Sequence, residues 1–119
     1  MKRTAFLMAL WVMLAAALPT SPAHATYKAL DGSAIQRMCQ GAVKVRALSV
    51  MCHNYLNGYL DAAHHFQKQP GFCMPEGGKE KLPNPLVEWL KAHPEAQKQP
   101  AGLAVERALK DMYPCKGKK

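Results

Sequence analysis

The fold of this chain is decided by the stretch CHNYLNGYLDAAHHF, Cys52–Phe66. Its apolar residues recur every three or four positions over four turns, which is the period of one face of an α-helix. This apolar stripe consists of positions 52, 55, 56, 59, 60, 63 and 66, and Leu48 and Met51 extend it backwards. We therefore predict a central helix from about residue 48 to residue 67, on which the rest of the chain packs.

One residue of this helix is a poor helix former. Gly58 costs about 1 kcal/mol relative to alanine in a helix interior. The usual compensation is that a neighbouring element crosses close to the backbone at the glycine. We predict such a crossing here, between Tyr55 and Tyr59.

The first residues have the three parts of a secretory signal peptide. Met1–Arg3 is basic, Phe6–Leu18 is an unbroken apolar run, and Ala23–Ala25 is a small-x-small cleavage site. The run is shorter than the roughly 20 apolar residues that span a bilayer, which argues against a transmembrane helix. We predict that residues 1–25 are a signal peptide cleaved after Ala25 and that residues 26–119 form a single periplasmic domain, with no membrane association.

The chain is basic, with a formal net charge of +8, which falls to +6 when Lys2 and Arg3 leave with the signal peptide. A positive balance fits a solvated surface or attraction to an acidic partner, such as anionic lipid, cell-wall polymer or an acidic protein. Nucleic acid is a poor candidate for an exported protein.

Four cysteines follow the predicted cleavage site, namely Cys39, Cys52, Cys73 and Cys115. An even number in an oxidising compartment predicts two disulfides. No spacing supplies the close pairs that zinc needs, so we expect no metal and no cofactor. If successive helices alternate in direction, Cys39 pairs with Cys52 and Cys73 with Cys115. The two other pairings stay open on the sequence alone.

Helix signals flank the central helix on both sides. A first helix from about residue 34 to 42 follows a capping box of Ser33 and Gln36. A third begins at Asn84, an N-cap followed by Pro85, and stops at Pro94. A fourth runs from about residue 100 to 113. Since no strand-like alternation occurs, the predicted fold class is all-α, a small disulfide-stapled bundle of about four helices.

The sequence contains no arrangement typical of a catalytic centre. Cys52 and His53 are adjacent on a helix and therefore point in different directions. A disulfide-bonded cysteine is also no nucleophile. Asp61 has no partner carboxylate nearby in the sequence, and we expect it to be exposed and paired with Lys68 or His65. We do not expect an enzyme.

Five short motifs occur in a fixed order along the chain. They are Cys52-x-x-Tyr55-x-x-Gly58-Tyr59-Leu60-Asp61-Ala62, Phe72-Cys73-x-Pro75, Trp89-Leu90-x-x-His93-Pro94-Glu95, Ala108-Leu109 and Tyr113-Pro114-Cys115. In this order they resemble the Rap/Tai family of periplasmic immunity proteins, which neutralise peptidoglycan amidase effectors of type VI secretion systems. The resemblance runs from about Cys39 to Cys115 and departs at Lys79–Pro85, where two prolines should delay the start of a helix.

The resemblance implies a binding protein that occludes the active site of an amidase effector, often as a homodimer. Most of the family's motif residues serve the fold, so we expect the partner contacts in two variable parts of the chain, residues 76–84 and 94–99. The predicted partner-binding residues are Glu76, Gly77, Gly78, Lys79, Glu80 and Lys81 in one segment, and Glu95, Gln97 and Lys98 in another. The alternative is a periplasmic acid-stress chaperone or other envelope-maintenance protein, because the mature chain has four histidines, the residue type on which pH-responsive proteins commonly rely.

Overall fold

A computed structural model describes residues 28–117 of the chain. This part folds into six helices and no sheet, which confirms the all-α prediction. The helices are α1 Gly32–Gly41, α2 Arg46–Phe66, α3 Gly78–Lys81, α4 Pro83–Ala92, α5 Pro94–Gln97 and α6 Ala101–Met112. The four longer helices are the predicted ones, whereas α3 and α5 are single turns in segments predicted as links. The predicted signal peptide lies outside the described residues.

The core forms where α1, α4 and α6 pack together, and α2 packs chiefly against α1. The largest fully buried side chains come from all of these helices and the α3–α4 junction: Ile35, Leu56, Leu82, Leu86, Leu90, Val105 and Leu109. Burying each such side chain contributes roughly 1.5–3 kcal/mol. None of the helices within residues 28–117 is long and apolar enough to cross a bilayer.

The first helix is capped by an aspartate and not by the predicted capping box. The Asp31 carboxylate accepts hydrogen bonds from the Ala34 N–H at 2.8 Å and from the Ser33 hydroxyl at 2.7 Å. Gln36 does not complete a box: its Oε1 is buried with no hydrogen-bond partner in the described part of the chain. A carboxylate is the stronger acceptor, so Asp31 takes the cap position ahead of the serine.

The start of α1 lies directly against α5. A β-carbon on Gly32 would lie only 2.4 Å from the carbonyl oxygen of Ala96, so no larger residue fits. Two backbone hydrogen bonds hold this contact, from the Gly32 N–H to the Gln99 carbonyl at 2.9 Å and from the Ala101 N–H to the Leu30 carbonyl at 2.8 Å. The segment before α1 is thereby fixed to the start of α6.

The long helix α2 extends beyond the core that it helps to form. Cys52, Leu56 and Ala63 are buried, as the apolar stripe predicts. Met51 and Phe66 belong to the same predicted stripe, yet they are 54% and 81% exposed. The prediction is wrong for these two residues because Met51 lies on the edge of the stripe and Phe66 is the last residue of the helix.

The predicted crossing at Gly58 is also wrong. Gly58 is exposed, and a β-carbon there would have no neighbour within 4 Å. The close approach occurs one residue later, where Cε2 of Tyr59 lies 3.9 Å from the β-carbon position of Gly102 on α6. Burial of the Tyr59 hydroxyl, helped by the nearby Glu106 carboxylate, raises the pKa of Tyr59 to about 12.

The start of α4 lies two residues before the predicted one, since Pro83 and not Pro85 occupies the first helical position. The N-cap is Leu82, and Asn84 lies inside the helix. Proline is tolerated there because the first amides of a helix have no intrahelical partner. At the other end α4 stops at Ala92, ahead of Pro94 as predicted, and Pro94 then begins α5.

Both predicted disulfide pairings are confirmed. Cys39 is bonded to Cys52 across 13 residues, and Cys73 to Cys115 across 42 residues. The first bond joins the end of α1 to α2, and the second joins the segment after α2 to the segment after α6. On the loop-entropy description these bonds stabilise the fold by about 3 and about 4 kcal/mol.

Candidate functional site

An open groove of about 720 Å³ lies beside the C-terminal half of α2. Leu60 and Asp61 of α2 form one wall, and Phe72 and Met74 from the following segment contribute apolar surface. Lys79 of α3 lines the groove as well. We call this feature the α2–α3 groove.

The chain forms the groove by turning back after α2 and attaching to the end of α6. Gly71 adopts a left-handed conformation, with φ of 77°, which favours glycine at this turn. Phe72 is buried and forms an isolated antiparallel bridge with Pro114. The Cys73 N–H donates to the Tyr113 carbonyl at 2.8 Å. The wall opposite α2 is therefore fixed by the end of α6.

The rim of the groove is mainly basic. His64, His65 and Lys68 line it and are exposed. Asp61 is the acidic residue of the lining, and it pairs with Lys79 at 3.4 Å rather than with the predicted Lys68 or His65. This exposed pair is worth about 0.2–1 kcal/mol and joins α2 to α3. Apolar surface with a mainly basic rim suits a protein segment that carries carboxylates beside an apolar side chain.

The first predicted partner-binding segment lies next to the groove. Gly77 has φ of 71° and serves as the N-cap of α3. Gly78 is buried, and a β-carbon there would lie 2.8 Å from Sδ of Met74, so the Gly78 backbone packs closely on Met74. The exposed members of the segment are Glu76, Gly77, Glu80 and Lys81.

The second predicted segment lies at the opposite end of α4, roughly 15 Å along a ten-residue helix. Glu95 pairs with Arg107 of α6 at 3.3 Å, and Gln97 Nε2 donates to the Leu90 carbonyl at 2.9 Å. Lys98 is exposed. The structure thus does not bring the two predicted segments together, and two of the three residues here make contacts within the chain.

The described residues contain neither a metal-ligand cluster nor a free cysteine. Within residues 28–117 no group of three or more histidine, cysteine, aspartate and glutamate side chains could hold a metal ion. All four cysteines in this range form disulfides. The fold and the groove together define a small, disulfide-linked helical protein with an open surface groove.

The family comparison names the class more closely. The profile of the Rap1a immunity proteins matches residues 31–115, which include all six helices and both disulfides. The chain belongs to the Rap1a immunity protein family, and the resemblance seen in its motifs is confirmed. Searches among curated proteins and among solved structures found no match.

Membership of this family implies the general role of the chain, that of an immunity protein. An immunity protein acts by binding a protein effector, so the partner of this chain is a protein. Two disulfides fit a protein that is secreted or resides in the periplasm, because such bonds persist in oxidising compartments.

Proposed function

We propose that this protein resides in the periplasm, binds a peptidoglycan amidase effector of a type VI secretion system and occludes the active site of that effector. The observation that carries the proposal is the family match over residues 31–115. The motif order from Cys52 to Cys115 supports the amidase as the effector class, because it resembles the immunity proteins that act on amidases. The signal peptide that we predict for residues 1–25 accounts for export.

We place the effector contact at the α2–α3 groove and at the exposed residues of the segment 76–81. An aromatic side chain supports this placement: Phe66 is 81% exposed, and its chain neighbours His65 and Gln67 both line the groove. Aromatic residues supply much of the binding energy at protein interfaces. An exposed phenylalanine at the margin of a partly apolar groove is therefore a suitable anchor for a partner.

Several contacts within the chain hold the segment beside the groove. The α3 turn, the Asp61–Lys79 pair and the packing of Gly78 on Met74 all restrict it. A preorganised surface loses little conformational entropy on binding. This rigidity suits an inhibitor that must bind its effector tightly.

The experiment mixes purified chain lacking residues 1–25 with purified type VI amidases, including any encoded next to its gene. Hydrolysis of isolated peptidoglycan is the readout. We expect stoichiometric inhibition of at least one amidase. Phe66→Ala should weaken inhibition by at least about tenfold, the effect of losing an interface anchor. Leu103→Ala, at a 52% exposed residue of α6, is the matched control and should inhibit like wild type.

Two outcomes would contradict the proposal in different ways. If the wild-type chain in molar excess inhibits none of the amidases, the proposed function is wrong. If it inhibits an amidase but Phe66→Ala is equally potent, the function stands and the contact lies elsewhere on the surface.

We also propose a homodimer, which the family resemblance implies. Exposed apolar side chains support it, and two of them, Leu30 and Met51, line one shallow groove. Light scattering coupled to size-exclusion chromatography measures the mass directly. We expect a dimer for wild type and a shift towards monomer for Met51→Lys, and a wild-type mass of one chain would refute the dimer.

A further inference from the structure

The two disulfides of this protein differ in their access to solvent. Cys39 and Cys52 are 2% and 0% exposed and belong to the hydrophobic core. Cys73 and Cys115 are both exposed. Cys73 also lines the α2–α3 groove.

We propose that the Cys73–Cys115 bond is a site of selective thiol–disulfide exchange whose co-substrate is a dithiol. A thiolate of the dithiol attacks Sγ of Cys73 or Cys115 and breaks the bond between them. This step forms a mixed disulfide and releases the other cysteine as a thiolate, which takes up a proton. The second thiol of the dithiol loses its proton and displaces the bound cysteine. The products are two protein thiols and an oxidised, disulfide form of the co-substrate.

Exposure and local charge both favour this bond over the other. Attack requires that the thiolate reach a sulfur atom. At Cys39–Cys52 this requires the packed α1–α2 contact to open, whereas Cys73–Cys115 lies at the surface in the folded state. Lys116 adjoins Cys115 in the chain, and Lys68 lines the same groove as Cys73. Nearby cations attract the incoming thiolate and stabilise the thiolate that leaves.

Exchange at this bond would loosen the groove and leave the core in place. After reduction, the segment after α2 is held to the end of α6 by the hydrogen bond from the Cys73 N–H to the Tyr113 carbonyl and by the Phe72–Pro114 bridge. The Cys39–Cys52 bond still joins α1 to α2. If the groove binds the effector, as proposed above, the state of the Cys73–Cys115 bond then controls that binding, and this consequence rests on the proposed function.

The first test uses the wild-type mature chain and dithiothreitol under native conditions. Samples taken over time are blocked with iodoacetamide and mapped by mass spectrometry. We expect Cys73 and Cys115 to be alkylated about tenfold faster or more than Cys39 and Cys52, since a buried bond reacts only through local opening. Equal rates, or earlier alkylation of Cys39 and Cys52, would overturn the assignment.

The second test measures amide hydrogen exchange in the selectively reduced protein and in a Cys73→Ser/Cys115→Ser variant. Both should exchange faster than oxidised wild type in residues 68–75 and 110–117 and at the same rate in α1. Unchanged amide hydrogen exchange in residues 68–75 and 110–117 would refute the claim that the Cys73–Cys115 bond stabilises the groove. The alkylation test uses wild type only, so its result does not depend on whether the variant folds. In the amidase assay, reduction should lower inhibition. If oxidised wild type inhibits no amidase, the proposed function fails while the exchange site is still decided by alkylation.

Discussion

Replacing Gly32 with alanine should destabilise this fold, whereas the same replacement at Gly58 should stabilise it. At position 32 the new β-carbon would lie 2.4 Å from the carbonyl oxygen of Ala96 and 2.9 Å from Cα of Gln97. Both are backbone atoms and cannot rotate away. Relief requires α1 to move off α5, which stretches the 2.9 Å hydrogen bond from the Gly32 N–H to the Gln99 carbonyl.

The size of the effect follows from these contacts. Overpacking of this kind costs about 1–3 kcal/mol. Weakening the hydrogen bond adds roughly 1 kcal/mol. Alanine regains at most about 1 kcal/mol through its better helix propensity, and less here because Gly32 is the first residue of α1. We therefore expect a net loss of about 1–3 kcal/mol for Gly32→Ala.

Gly58 supplies the control, since it is exposed in the interior of α2 and an added β-carbon would meet nothing within 4 Å. Only the propensity difference applies there, so Gly58→Ala should gain about 0.5–1 kcal/mol. Urea denaturation followed by circular dichroism measures both variants. In a domain of this size 1 kcal/mol shifts the melting temperature by about 4–8 °C.

The opposite pattern would refute this reasoning. A Gly32→Ala variant as stable as wild type would show that α1 and α5 are not in the described contact. A marked loss of stability in Gly58→Ala would show that another surface packs on this face of α2.

Three further predictions concern charge and pH. Lys68→Glu should slow association with the effector several-fold in low salt, and stopped-flow measurements should show no such effect for the exposed Lys44→Glu. The pKa of Tyr59 is raised to about 12, so the stabilisation by its neutral hydroxyl is complete below the ordinary pKa of 10.0 and is lost as the pH rises towards 12. Tyr59→Phe should abolish this fall in unfolding free energy, which urea titrations at alkaline pH measure. Hydrogen bonds from the Ser33 hydroxyl and the Ala34 amide lower the pKa of Asp31 below its ordinary 3.8. The stabilisation by the ionised carboxylate is therefore present above pH 3.8 and is lost as the pH falls through the lowered pKa. In Asp31→Asn the melting temperature should depend less on pH across that range.

The features that depend on local sequence were predictable. The period of the apolar residues in Cys52–Phe66 identifies α2, because the residues on the core-facing side of a helix recur every three or four positions. An alternating direction of successive helices favoured the disulfide pairing that the structure has, although two other pairings stayed open on the sequence alone. Pro94 ends α4 because proline cannot continue the preceding helix.

The features that depend on contacts across the chain were not predictable. Gly58 and Gly32 are both glycines of helical segments, yet only Gly32 has a neighbouring backbone within contact distance. The single turn α5 is accompanied by the hydrogen bond from Gln97 to the Leu90 carbonyl, seven residues earlier. A sequence pattern carries no signal for such a contact.

The α2–α3 groove was missed for the same reason. Its wall opposite α2 exists only because Phe72 and Cys73 attach to Tyr113 and Pro114 at the far end of the chain. The sequence did contain one signal, since the predicted pairing of Cys73 with Cys115 brings this segment to the end of the chain. The bridge between Phe72 and Pro114, and therefore the groove, required the structure.

Because Phe72 and Cys73 attach to Tyr113 and Pro114, the core and the groove depend on different disulfides. The core of α1, α4 and α6 encloses Cys39 and is held by side chains that are fully buried. The groove lies outside that core, and the bond that fixes its wall closes the longer loop, 42 residues against 13. On the loop-entropy description the longer loop gives the larger stabilisation. The exposed Cys73–Cys115 bond therefore contributes more to the unfolding free energy than the buried Cys39–Cys52 bond. The surface that we propose for effector binding thus depends on the disulfide that is accessible to solvent.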